Sequence, residues 1–240
     1  AEARAGRTQE AIKIAKQIQT QRPAMGVGHM LEGDAWMAQK DYAKAVRAFD
    51  AGFKAQASSG VALKLHAALE RAGNSLEADS RLEQWLKDSP ADFPARLYLA
   101  DAYMQRGQDE LAVTHYQLIL QSNARSVPAL NNLAWLYHKQ RRPKALEMAE
   151  LAYKAAPDNP EILDTLGWIL LEQGNVKRAA PLLERALSLA PNAVAIRYHH
   201  AVALAKSGDK AKARAEIESL LASGKKFPEE QQARQFLQRL

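Results

Sequence analysis

The hydrophobic pattern of the chain is organised around one small residue. Alanine recurs at Ala11, Ala45, Ala78, Ala112, Ala145, Ala179 and Ala213, in steps of 33 or 34 residues. Larger residues such as Phe49, Tyr116 and Leu183 follow three or four positions on. A turn position precedes each alanine at the same step: Gly6, Lys40, Gly73, Gly107, Arg141, Gly174 and Gly208. Pro23, Pro90, Pro157 and Pro191 mark the far end of most units. Three markers sharing one period identify an internal repeat.

The repeat has a physical reading. Each unit holds two amphipathic helices of about 13 residues, the usual three to four turns. Glycine at the first turn supplies the left-handed backbone that ends the first helix, here called helix A. Proline at the second turn stops helix B or starts the next helix A. The alanine of helix B meets a small counterpart on helix A: Gly33, Ala100, Ala134, Gly167 or Ala201. Two small residues at a crossing let the backbones approach.

The pattern predicts an all-α chain. A half-unit, helix B alone, occupies 1–22, and hairpins occupy 26–57, 59–91, 93–124, 127–158, 160–192 and 194–223. A capping segment over 225–240 carries a helix that opens at Pro228, with Phe236, Leu237 and Leu240 as its apolar stripe. Capping segments of this kind cover the last apolar face of a repeat array. Three positions depart from the pattern. His66 takes a small-residue position, so its hairpin is expected to widen there or His66 to tilt out. Pro143 is expected to begin helix B directly, in a turn one residue short. Pro181 is expected in the first turn of its helix, where no kink is required.

The stretch Asn159-Pro160-Glu161-Ile162-Leu163-Asp164-Thr165-Leu166-Gly167-Trp168, followed by Glu172-Gln173-Gly174, Ala179 to Leu183, Ala186 and Ala190-Pro191-Asn192, resembles a consensus unit of the tetratricopeptide repeat (TPR) family. The resemblance spans nearly the whole chain. It implies a right-handed superhelical solenoid of helical hairpins, with helix A of each unit lining a concave groove.

Composition narrows the function classes. With 47% hydrophobic and 25% charged residues the chain is of ordinary globular type, not disordered. It has no cysteine, which excludes disulfides and Cys-based zinc sites. The net charge of +6, from 33 basic and 27 acidic residues, is too mild to point to nucleic acid. No apolar window reaches the roughly 20 residues of a membrane span; Ile162 to Leu171 is among the most apolar. The opening Ala1-Glu2-Ala3-Arg4 is charged and does not read as a signal peptide.

Mapped onto the groove that the resemblance implies, the candidate partner-binding residues are Tyr98, Asp101, Asn131, Trp135, His138, Asp164, Trp168, Leu171, Tyr198 and His199, with Val202 beside them. Asn131 and Asp164 are equivalent positions, as are Trp135 and Trp168. Such a face can hydrogen-bond an extended backbone and present aromatic anchors. The competing reading is that the tryptophans pack between repeats and Asn131 and Asp164 satisfy helix ends. The carboxylate clamp for chaperone tails known in the family needs Lys, Arg and Asn side chains. Asp101, Asp164 and Glu172 stand here instead, and only Asn131 suits it.

No enzyme, cofactor or metal is expected. His199 and His200 point about 100° apart on a helix and cannot share an ion, so one is expected exposed and one packed. Gly224-Lys225-Lys226 lacks the leading glycine of a phosphate loop and follows a helix. Lys139, Arg141, Arg142 and Lys144 read as solvated charge in a turn. No serine has the setting of an activated nucleophile.

The expected function is therefore a scaffold that binds protein or peptide segments in its groove. Two alternatives stand beside it: self-association into a homodimer through the Ala1 to Pro23 end, and a regulatory arm of an enzyme encoded outside these residues. Ala205-Lys206-Ser207-Gly208-Asp209-Lys210-Ala211-Lys212-Ala213-Arg214 and Ser223-Gly224-Lys225-Lys226-Phe227-Pro228-Glu229 are similar to the carboxy-terminal end of bacterial TPR lipoproteins of the PEP-CTERM/exosortase system. That resemblance implies a role in envelope protein sorting and exopolysaccharide export, and a periplasmic, membrane-tethered location. A cytoplasmic location is the alternative.

Overall fold

The structure, a computed structural model, describes residues 2–224, 226–227 and 229–240, with side chains from residue 7 onward. The described residues form fourteen helices and no strand: α1 (Glu2–Gln21), α2 (Val27–Gln39), α3 (Tyr42–Ala55), α4 (Ser59–Arg71), α5 (Ser75–Asp88), α6 (Phe93–Gln105), α7 (Asp109–Ser122), α8 (Val127–Lys139), α9 (Ala145–Ala155), α10 (Pro160–Glu172), α11 (Val176–Leu189), α12 (Val194–Lys206), α13 (Lys210–Ala222) and α14 (Glu230–Leu237). They fall into two compact units, Ala1–His115 and Tyr116–Leu240. Lys225 and Pro228, at the start of the expected capping segment, lie outside the described residues; α14 begins at Glu230.

One backbone device ends six of the helices. Lys40, Gly73, Gly107, Arg141, Gly174 and Gly208 all have φ between 55° and 100°. At each, the residue's own N–H bonds three residues back and the next N–H bonds five back, as in Gly73 N to Glu70 O and Asn74 N to Leu69 O. This pair of bonds satisfies carbonyls that the helix end would otherwise orphan. The following residue caps helix B at three of these turns, where Asp41, Asn175 and Asp209 each accept from a backbone N–H three residues on; Asn74, in the same position, makes no such bond. Such a cap is worth about 1 kcal/mol. Asp92 and Asn159 do the same for α6 and α10, where Pro94 and Pro160 occupy the first turn.

Within the first unit, a core of Ala45, Phe49, Val61, Leu65, Ala68, Leu69 and Ala78 joins α3, α4 and α5, with Trp36 and Met37 of α2 packed against it. In the second unit, Leu130, Ala152 and Ile162 join α8, α9 and α10, and Leu163, Ala186 and Ile196 join α10, α11 and α12. Burying each larger side chain contributes about 1.5–3 kcal/mol. The small helix-A positions have a definite task. A methyl group added at Gly167 would lie 2.7 Å from Leu183 Cγ, and one added at Gly33 would run into the Phe49 ring. The glycine receives the large residue four positions beyond the marker alanine.

Several positions differ from the sequence expectation. Gly6 lies inside α1 and not in a turn. Glycine costs a helix only about 1 kcal/mol relative to Ala, and no helix A of the same repeat pairs with α1 among the described residues to impose a reversal. For the same reason Ala11 is exposed, whereas the other six marker alanines are buried. Helix α9 starts at Ala145, not at Pro143, and has 11 residues. Arg141 spends the short connection on the left-handed step, so Arg142 to Lys144 form the turn and Ala145 N bonds to Arg142 O. Pro181 is inside α11, beyond its first turn. The Lys177 carbonyl loses its helical donor there, on a stretch where both residues are exposed to solvent. His66 does not tilt out. It is 1% exposed, because Asp79 of α5 and the edge of Tyr98 of α6 give its ring a polar and an aromatic neighbour.

Candidate partner-binding faces

In the second unit, the candidate residues lie on α8, α10 and α12, each the helix A of its hairpin. Asp164 and Trp168 are one turn apart on α10, so both meet the same part of α12. His199 of α12 lies flat on the Trp168 indole, with ring centroids 4.1 Å apart. Its Nδ1 stands 2.8 Å from Asp164 Oδ1, and its Nε2 is buried without a partner. Tyr198 also touches Trp168, and Phe227 packs on Tyr198 from the far side. Burial, with Glu229 and Glu172 nearby, pushes the Tyr198 hydroxyl up to about 12. On α8, Trp135 packs on His138, whose pKa is lowered by burial against the opposing pull of Glu172.

The expected groove residues therefore separate. Trp135, Trp168, Asn131, His138 and Asp164 are partly exposed. Leu171 is fully buried and offers no groove surface, because its side of α10 faces the core. Tyr198 and His199 are also buried and support the face from below. His200 is half-buried, not exposed. Asp164 serves the His199 imidazole and not a helix end. Asn131 Oδ1 is buried and has no partner among the described residues.

The four tryptophans differ in one respect. Trp36 Nε1 donates to Glu32, and Trp85 Nε1 donates to Asp92 at 2.7 Å. Trp135 and Trp168 donate to no acceptor among the described residues. Neither N–H is a buried unpaired donor, so both are open to solvent and free to donate to an incoming group.

In the first unit, Tyr98 and Asp101 of α6 border a pocket of about 330 Å³ together with His66 and Glu70 of α4 and Arg106. A polar cluster lies beneath it. Asp79 of α5 accepts from Arg106 Nη2 at 2.8 Å, and Glu70 accepts from Arg106 Nη1 at 2.5 Å. One turn along α5, Glu83 pairs with Tyr103 and with His115 of α7. Burial lowers the His115 pKa, and Glu83 opposes it. Burial and these carboxylates push the Tyr103 hydroxyl well above its usual range. Sequence reading missed the cluster. His66 and Glu70 stand at the visible four-residue spacing, but Asp79 and Arg106 arrive from other helices.

Residues 1–59 and 67–128 match one sequence profile described as Tetratricopeptide repeat, and residues 170–240 match a second of the same description. The chain belongs to the tetratricopeptide repeat family. No curated protein matches it in sequence. Among solved structures, a TPR protein from Parabacteroides merdae is similar over 82% of this chain and 79% of its own, with TM-score 0.68 and 16% identity. The C-terminal part of a TPR protein from Cytophaga hutchinsonii covers 95% of this chain and 94% of its own, with TM-score 0.66 and 14% identity. YrrB, described as a TPR protein with an unusual peptide-binding site, covers 78% of this chain and 97% of its own, with TM-score 0.57 and 12% identity. These likenesses concern the fold. TPR repeats form scaffolds for protein–protein interaction, and no helix among the described residues is long and apolar enough to cross a membrane.

Proposed function

We propose that the exposed parts of α8, α10 and α12 form a docking face for an extended segment of a partner protein. The observation that carries this reading is the pair of unpartnered indole N–H groups on Trp135 and Trp168, one repeat apart. Partner carbonyls accept from them, and the indole faces provide apolar anchors of the type that dominates such interfaces. His199 and Asp164 hold Trp168 in place and do not touch the partner. YrrB, which shares the fold, is described as having a peptide-binding site. In this reading the chain carries no catalytic group, and the face takes a protein segment, not nucleic acid.

The test is capture of crosslinked partners from native envelope and cytosolic fractions with Trp135→Ala and Trp168→Ala variants. Loss of the same partner bands in both variants, with helical circular dichroism and cooperative unfolding retained, is the expected result. Undiminished capture would sink the reading. Asp164 is unsuited to this test, because its replacement also strips a buried imidazole of its acceptor.

The resemblance of Ala205 to Arg214 and Ser223 to Glu229 to PEP-CTERM-system lipoproteins supports a placement in the bacterial envelope, in protein sorting and exopolysaccharide export. Fractionation of the tagged full-length gene product tests it, and recovery in the cytosol alone would reject it. A second reading, self-association, has its own observation. On α1, Ala11 is exposed and Ile14 is 48% exposed, where other repeats bury the marker alanine. Light scattering over a concentration series decides it: a mass that stays at 26.5 kDa rules it out.

A further inference from the structure

We propose that His66, Glu70 and Asp79 of the first unit form a binding site for one divalent transition-metal ion of the zinc class. His66 and Glu70 stand one turn apart on α4, and Asp79 approaches from α5. One ligand atom from each lies within 4.8 Å of the other two. Ligand atoms held at about 2.0–2.2 Å in a tetrahedral shell stand about 3.3–3.6 Å apart, so the three side chains close in by up to about 1 Å as the ion binds. His66 is almost wholly buried, with Nε2 directed at Asp79 Oδ1 from 3.2 Å and Nδ1 unpartnered.

The cluster already attracts a cation. The Arg106 guanidinium bridges Glu70 and Asp79 at 2.5 and 2.8 Å. Two carboxylates about one guanidinium leave one negative charge in excess. Arg106 is also an imperfect occupant, since its Nε is buried without an acceptor, a cost that withdrawal relieves. The neighbouring pocket of about 330 Å³, bounded by His66, Glu70, Tyr98 and Arg106, gives the ion a route and the arginine a place to go.

The donor set selects the ion. Calcium takes six to eight oxygen ligands and magnesium demands an octahedron of them. One imidazole nitrogen and two carboxylates instead suit zinc or cobalt(II), with water completing the shell. Arg106 is the competitor that the ion displaces, and the bound ion ties α4 to α5.

Calorimetric titration of the purified chain with zinc chloride tests this, with magnesium chloride as control and circular dichroism to confirm folding. The parent is expected to bind one zinc and no magnesium. Glu70→Gln is expected to weaken binding at least about tenfold, and Arg106→Gln, which keeps every ligand and removes the competitor, to strengthen it about tenfold. Cobalt(II) uptake should give a visible absorption band that Glu70→Gln diminishes. Failure of the folded parent to bind zinc overturns the proposal, including the case in which Arg106→Gln alone binds. Zinc binding that Glu70→Gln leaves unchanged places the ion at another histidine and overturns it equally.

Discussion

His199 and Trp168 stack with ring centroids 4.1 Å apart and planes inclined by 24°. The contact joins α12 to α10, and Asp164 fixes its geometry by accepting from His199 Nδ1. The tryptophan of the proposed docking face is thus held by a histidine that is itself buried. His199→Ala should cost about 2–4 kcal/mol of stability, from the lost buried ring and the stranded carboxylate. Urea unfolding measures this. A change near zero would mean that Trp168 needs no such support.

Lys40 and Arg141 take the left-handed conformation that glycine takes in four equivalent turns, at φ 62° and 55°. A non-glycine residue there pays about 1–2 kcal/mol, part of which glycine returns as unfolded-state entropy. Lys40→Gly and Arg141→Gly are each expected to stabilise the chain by about 0.5–1 kcal/mol, read as a higher urea midpoint at unchanged slope. Gly73→Ala should move the midpoint the other way.

Gly33 and Gly167 sit under Phe49 and Leu183. An added methyl at either must displace a buried side chain, an overpacking that typically costs 1–3 kcal/mol. The better helix propensity of alanine offsets about 1 kcal/mol of it. Net destabilisation of about 1–2 kcal/mol is expected for Gly33→Ala and for Gly167→Ala. Ala100 and Ala134 show that alanine is accepted where the opposing residue leaves room for it, so the cost belongs to these two sites.

His115 is 4% exposed, and its folded pKa is depressed, chiefly by burial. The unfolded chain therefore binds this proton more readily than the folded one. The stability that the neutral ring contributes is complete above the unfolded value of about 6.5 and is lost as pH falls from there through the folded pKa. His138 and His200 are shifted in the same direction, also by burial first. Urea midpoints should decline as pH is lowered from 7.5 to 5, and His115→Gln should flatten part of the decline. A profile equally steep in the variant would remove His115 as a cause.

How much of this was legible in the residues varies with the kind of fact. The turn positions Lys40 and Arg141 could be found by period although neither is glycine, because each repeat must reverse at the same step. The glycines opposite Phe49 and Leu183 could be found because a helix crossing needs a small residue on one side. The burial of Leu171 could not. Which side of α10 is open depends on how its neighbours lie, and a strongly apolar helix carries little contrast between its faces. Nor could the partner of Asp164 be read, since His199 lies a whole repeat away.

The sequence by itself determined the repeat, its period and the family, since these rest on local backbone requirements that recur every 33 or 34 residues. Only the tertiary structure decided which polar groups meet. His66, Glu70, Asp79 and Arg106 come from three separate segments of the first unit, and Gly6 and Ala11 take their state from whether a helix A of their own repeat packs against α1. Short-range sterics act through neighbours in the chain and leave a pattern there. Burial and charge pairing act through neighbours in space, and the chain order does not record them.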